Sequence, residues 1–284
     1  MFFNLLRYDL KRGIWYRFLV FLPTFILGLL GAVYFFLVRG QCEMGLGQAL
    51  ESPTVGDAVF YLLSGTLPYT LSETNRFIFP AMWIALYGYS GFVMLTYLSH
   101  DLESVGWQFL ARCHSRHLWW ASKCICTILG NILNSTIWLL TIIICIASAG
   151  GTVSLDVSDS TYQMSWMFRV NQAIGGRNEL ASALILSQFT MIVLTLAIQL
   201  ICLYLKPILA YIAFLALLIA SAYWETPFLL PNYLMLLRNG GLFRGTLPVV
   251  LGYGFTLVAL LLVTALGHIL FRRYDVLNRG RELI

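Results

Sequence analysis

The residues best suited to chemistry lie in one short stretch: His100, Asp101, His114 and His117. His114 and His117 are three apart, a spacing that lets two imidazoles on one helical face share a metal ion. No His-Glu-x-x-His pattern and no second Cys/His pair completes such a set, so no metal site is assigned. Two readings remain open for the stretch: interfacial histidines, or an integral-membrane enzyme using His100 and Asp101. His268, near the inner end of the last apolar run, reads as a further interfacial histidine. The six cysteines (Cys42, Cys113, Cys124, Cys126, Cys145, Cys202) contain only a Cys-x-Cys pair and read as small buried hydrophobes. A phosphate-cradling loop needs Lys between Gly and Ser or Thr, whereas Lys11, Lys123 and Lys206 follow Leu10, Ser122 and Leu205. Leu63-Ser64-Gly65 lacks the following glycine of an ATPase signature and falls on the outer side of the topology derived below. The chain therefore encodes no ATPase and is expected not to be an enzyme.

The elements that must position these residues are apolar. Hydrophobic residues make up 59% of the 284 residues and charged ones 11%, against roughly 25% charged in soluble domains. Stretches free of Lys, Arg, Asp and Glu suggest six transmembrane helices, at 18–38, 78–99, 124–149, 181–205, 207–224 and 246–271. Each approaches the roughly 20 residues a span requires, and runs this continuous fit helices, because barrel strands alternate over about ten residues. The expected fold is an all-α polytopic membrane protein: an N-terminal interfacial helix over 1–17 and a six-helix domain over 18–284. The first run is too long for a signal-peptide core and reads as a retained span.

With both termini on one side, that face carries Arg7, Lys11, Arg12, Arg17, Arg112, Arg116, Lys123, Lys206, Arg272, Arg273, Arg279 and Arg281. Arg39, Arg76, Arg169, Arg177, Arg238 and Arg244 lie on the other, among eight acids. The positive-inside rule then places both termini in the cytoplasm of a plasma-membrane protein. The formal charge of +5 is an orientation signal, not a nucleic-acid patch.

In the leader, Phe3, Leu6, Leu10 and Ile14 recur at helical spacing, which predicts an amphipathic helix lying on the inner leaflet; an ordinary basic flank is the alternative. Pro207 suits a first helical turn, so spans four and five should form a tight hairpin. Outside, Thr54 to Leu63 reads as a short helix, and Gly150-Gly151 as the end of the third span. The segment from Glu225 to Arg244 reads as a short helix re-entering the outer leaflet.

Within the spans the sequence shows no buried charge, which argues against an ion-coupled carrier. It shows polar stripes instead. Thr127, Asn131, Asn134, Ser135 and Trp138 share one face of the third span, and Gln188, Thr195 and Gln199 one face of the fourth. Uncharged interhelical bonding is one reading; a substrate path lined by Asn131, Asn134, Gln188 and Gln199 is the other.

The cytosolic loop 101–123 reads ESVGWQFLARCHSRHLWWASK from Glu103. Glu103, Gly106, Leu110, Ser115-Arg116 and Lys123 follow the acidic-Gly, Leu, Ser-Arg, Lys order of the same loop in ABC-2 type transporter permeases, which this chain resembles. The surface-lying leader, the six spans, the re-entrant segment before the last span and a basic tail (Arg272, Arg273, Asp275) also resemble that family. The resemblance implies the membrane half of an ATP-driven exporter, with ATP and Mg bound by a separate ABC ATPase subunit and a second permease subunit, identical or related, completing the path. From the residues themselves, Trp107, Phe109 and Leu110 beside Arg112 and Arg116 would make a docking knob for a soluble partner. The other reading of that loop is a basic aromatic segment at the headgroups, with Ser115 only a helix N-cap. An uncharged path and an aromatic-rich chain favour an amphipathic or hydrophobic cargo such as a peptide, lipid or drug. A nonenzymatic sensor or scaffold that recruits a cytosolic partner remains the competing class.

Overall fold

The computed structural model describes residues 2–67, 69, 78–103, 116–158, 161, 175–243 and 245–273. The described chain is all helical, without strands. Its elements are α1 (Phe2–Leu10), α2 (Leu22–Leu46), α3 (Val55–Leu63), α4 (Ala81–Glu103), α5 (Arg116–Ser148), α6 (Arg177–Cys202), α7 (Pro207–Tyr223) and α8 (Val249–Arg273). Among the described residues, five helical stretches are long and apolar enough to cross a membrane: Phe18–Leu46, Ala81–Leu98, Leu118–Ser148, Arg177–Cys202 and Val249–Leu270. The chain is thus a helical bundle with the character of a polytopic membrane protein. The sixth apolar helix, α7, has 17 residues; at 1.5 Å per residue it spans about 26 Å.

In the bundle, α2 and α4 pack on α5, α4 on α6 and α7, and α8 on α5 and α6. One end of the bundle gathers α1, the facing ends of α4 and α5, and the α6–α7 turn. Leu5, Leu98, Trp119, Trp120, Leu200 and Leu203 form a buried cluster there, with Leu260 and Val263 of α8 against it. The first and last helices therefore meet in this cluster. Pro207 stands in the first turn of α7, five residues beyond the last of α6, so the expected hairpin forms.

At the opposite end, α3 is fixed by a capping box: Thr54 Oγ1 accepts from the Asp57 amide and Asp57 Oδ2 from the Thr54 amide, each at 3.0 Å. Asp57 also accepts from the Ser158 amide and hydroxyl and from Thr161 Oγ1 at 2.8, 2.7 and 2.6 Å, which ties Ser158 and Thr161 onto α3. Helix α5 stops where the glycine pair predicts, with Gly150 at φ 77° and the Gly151 amide bonded to Ile146 O at 2.9 Å.

The 225–243 segment differs from the expected leaflet-dipping helix. It forms two 3-10 turns, Leu230–Leu234 and Leu236–Arg238, and residues 231–239 are all buried by protein. Its irregular backbone finds donors inside the fold, as Trp83 Nε1 donates to Leu234 O at 3.2 Å. Arg238, which the sequence places among scattered outer charges, is 1% exposed. Its guanidinium donates to Thr66 O at 3.0 Å, to Ala222 O at 2.9 Å, to Trp224 O at 3.2 Å, and to Ser221 O and Asn232 Oδ1. Three of these acceptors are the orphan carbonyls that end α7, so one side chain closes that helix. Burial pushes the Arg238 pKa down to about 10, with Glu225 opposing the shift; the group stays a cation at neutral pH.

Candidate functional site

The expected coupling residues Gly106, Trp107, Phe109, Leu110, Arg112 and Ser115 lie outside the described residues, as do Cys113 and His114. Glu103 closes α4 and Arg116 opens α5, so these two positions mark the two roots of the loop. Lys123, expected to act with them at the docking surface, is instead 1% exposed. Two turns into α5, it points into the bundle.

Lys123 Nζ donates to Asp9 Oδ1 at 2.7 Å, to Asp101 Oδ2 at 2.6 Å and to Tyr97 Oη at 3.0 Å. The three ammonium protons thus have three acceptors. The Tyr97 and Trp119 rings lie 4.7 and 4.9 Å from the same nitrogen, an added attraction for a desolvated cation. Asp9 accepts further bonds from Tyr97 Oη at 2.9 Å and from Ser122 Oγ at 2.5 Å. Both carboxylates are as hidden as the lysine, at 1% and 3% exposure.

This buried triad overturns the expectation that no charge is buried within the spans. Lys123 falls inside the Leu118–Ser148 stretch, because α5 begins at Arg116, ahead of the charge-free run. Such a cation is tolerated only when paired and fully hydrogen-bonded. Asp101, one half of the enzyme reading, has a carboxylate oxygen committed to this ion pair.

The triad also fixes which side of the leader meets the bundle. Helix α1 buries Leu5 and Asp9, and the following π turn (Lys11–Trp15) buries Gly13, whereas Phe3 is 80% exposed. Leu6 and Leu10 of the apolar stripe lie half-buried beside this face, from which Asp9 reaches Lys123. Gly13 permits the close approach: a Cβ there would stand 2.8 Å from the Tyr97 ring. Three elements (α1, α4 and α5) are pinned at one point, beside the helix ends that flank residues 104–115.

The polar stripes face each other across α5 and α6 in antiparallel register. Thr127 Oγ1 donates to Gln199 Oε1 and Asn131 Nδ2 to Thr195 Oγ1, both at 2.9 Å, and Ser135 Oγ donates to Gln188 Oε1. Asn134 bonds Ser90 of α4 and accepts from Thr24 of α2, and Gln199 Nε2 reaches Met94 O at 3.1 Å. The four residues expected to line a path thus join helices within this chain. None of them lines the apolar groove of about 430 Å³ between α2, α4 and α7, which is formed by residues such as Pro23, Ile84, Gly88 and Tyr211. Gln199→Leu, which removes both of its bonds, is expected to cost about 1 kcal/mol, read as a modest fall in the thermal unfolding midpoint of the purified chain. No change in that midpoint would contradict a bonding role for Gln199.

No family model, curated protein or solved structure matches the chain.

Proposed function

We propose that this chain is the membrane subunit of an ATP-driven exporter of the ABC-2 type, energised by a separate ATPase that docks on the loop between α4 and α5. The observation that carries the reading is the Asp9–Lys123–Asp101 triad, because it makes the loop's two roots and the N-terminal helix one mechanical unit. A push on the loop would then tilt α1, α4 and α5 together, which is how energy released in a soluble partner can bias a bundle that holds no phosphate-binding loop. The loop's order of Glu103, Gly106, Leu110, Ser115-Arg116 and Lys123 supports the same reading.

In this reading α7 is a sixth span, with its ends fixed by Pro207 and Arg238 and its shortness taken up by local thinning. Both termini and the triad end face the cytoplasm of the plasma membrane. Two such subunits, identical or related, face each other, and the cargo is amphipathic or hydrophobic. An ion-coupled carrier is favoured by one observation, the buried triad itself. The α5–α6 ladder that continues from it contains only Thr, Asn, Ser and Gln, which gives a proton or ion no charged relay across the bundle.

The test is co-purification of the full chain from its native membrane. An ATPase carrying a phosphate-binding loop is expected to accompany the wild type and to be lost from Glu103→Lys and Arg116→Glu. Failure of the wild type to retain any ATPase under mild detergent would count against the proposal.

A further inference from the structure

The outward face of the N-terminal helix has no role in the triad. Opposite the buried Leu5, Asp9 and Gly13, the chain exposes Phe3, Arg7, Lys11 and Trp15 at four-residue intervals, flanked by Asn4, Arg12 and Tyr16. Three cations share this face. The only carboxylate before Glu43 is Asp9, which is buried on Lys123 and cannot neutralise them. Two cations lie against rings of the same segment: Lys11 Nζ stands 5.4 Å from the Tyr16 centroid, and Arg12 lies 5.3 Å from that of Tyr8, whose hydroxyl accepts from it at 2.8 Å.

The exposed aromatic surface does not stop at Tyr16. It runs through Phe18, Leu19, Leu22 and Phe25 onto the outward face of a membrane-crossing stretch. Trp and Tyr beside Lys and Arg, continuous with a lipid-facing helix, mark headgroup depth in a bilayer. An acidic protein surface would satisfy the cations equally, but it would leave Trp15, Phe18 and Leu19 without an apolar neighbour that the bilayer provides at no extra cost.

We propose that this face binds anionic phospholipid headgroups, with phosphates against Arg7, Lys11 and Arg12 and the Trp15 and Tyr16 rings at the glycerol level. Because Asp9 clamps the opposite face, the cations are presented from a fixed helix and not from a loose basic tail. The surface is independent of any ATPase, so it stands or falls apart from the transport reading.

Native mass spectrometry of the full chain in neutral detergent, offered equal phosphatidylglycerol and phosphatidylcholine, tests it. The wild type is expected to retain phosphatidylglycerol preferentially, each cation contributing on the order of fivefold. R7Q/K11Q/R12Q should lose at least tenfold of that preference, as on the order of fivefold per cation allows, while K206Q, another exposed lysine at this end, keeps it. Should the triple variant fail to fold, R7Q/K11Q is expected to lose about fivefold or more. Equal retention of the two lipids by the wild type, or an unchanged preference in the folded variants, would overturn the proposal. So would variants that keep the lipid but shed an acidic protein partner.

Discussion

Lys123→Met is expected to be the most damaging single substitution in the chain outside the loop. Methionine fills most of the lysine's volume, so the loss is electrostatic: Asp9 and Asp101, both buried, would face each other without the cation between them. Removing one partner of a buried ion pair costs about 3–5 kcal/mol, a large share of the stability of any fold. The measurement is thermal or denaturant unfolding of the purified chain, together with its yield in the membrane. The same physics makes a second expectation. Asp9→Asn/Lys123→Met/Asp101→Asn leaves no uncompensated charge and should recover most of the lost stability, since neutral replacement of a whole buried ionic group is often tolerated. It should not recover coupling to the proposed ATPase partner if the ionic clamp transmits the proposed push. Stability regained with coupling also regained would show that the clamp serves folding alone.

Arg238→Met is the second large effect. The guanidinium is the donor for Thr66 O, Ser221 O, Ala222 O and Trp224 O, and for Asn232 Oδ1. Without it, buried carbonyls at the end of α7 and in the 64–67 chain lose their partner, and leaving buried acceptors unsatisfied costs about 1–3 kcal/mol for each group not rescued by water. A total near or above about 3 kcal/mol is expected, with unfolding beginning where α7 meets the 230–239 turns. Arg238→Lys should rescue less than half of it, because an ammonium has three donors and no planar fork to serve acceptors on three sides. Hydrogen exchange across 218–239 is the measurement that localises the effect. Exchange unchanged there in Arg238→Met would remove the capping role.

Local chemistry explains which features the sequence made legible. The Thr54-to-Asp57 spacing writes its own cap, Pro207 and Gly150 set their own dihedrals, and the Thr127, Asn131, Ser135 and Gln188, Thr195, Gln199 stripes follow the helical period, while their meeting is shown by the packing. Features that depend on a distant partner were not legible in the same way. Periodicity groups Phe3, Leu6, Leu10 and Ile14 into one stripe of the leader, but it does not show that Leu5, Asp9 and Gly13 are the residues turned into the bundle. The signal was present as a lone acid, Asp9, in an otherwise basic segment, with a lone lysine at the head of the third span. Arg238 carries no local mark at all, because its acceptors are main-chain carbonyls of Thr66 and of the end of α7 together with the side-chain oxygen of Asn232. The apolar run around it reads equally well as a lipid-facing helix or as protein-buried turns, and only tertiary packing distinguishes the two.

In the proposed mechanism α1, α4 and α5, clamped by the triad, move as one body against the α6–α7 turn when the partner ATPase binds ATP. Spin labels at the exposed positions Asn4, on α1, and Lys206, in the α6–α7 turn, report that motion by pulsed electron resonance in the assembled complex. The account predicts a distance that shifts when ATP is trapped, and a shift that disappears in the Asp9→Asn/Lys123→Met/Asp101→Asn background. A distance indifferent to ATP in the wild type, or one that still shifts after the triad is neutralised, would contradict it.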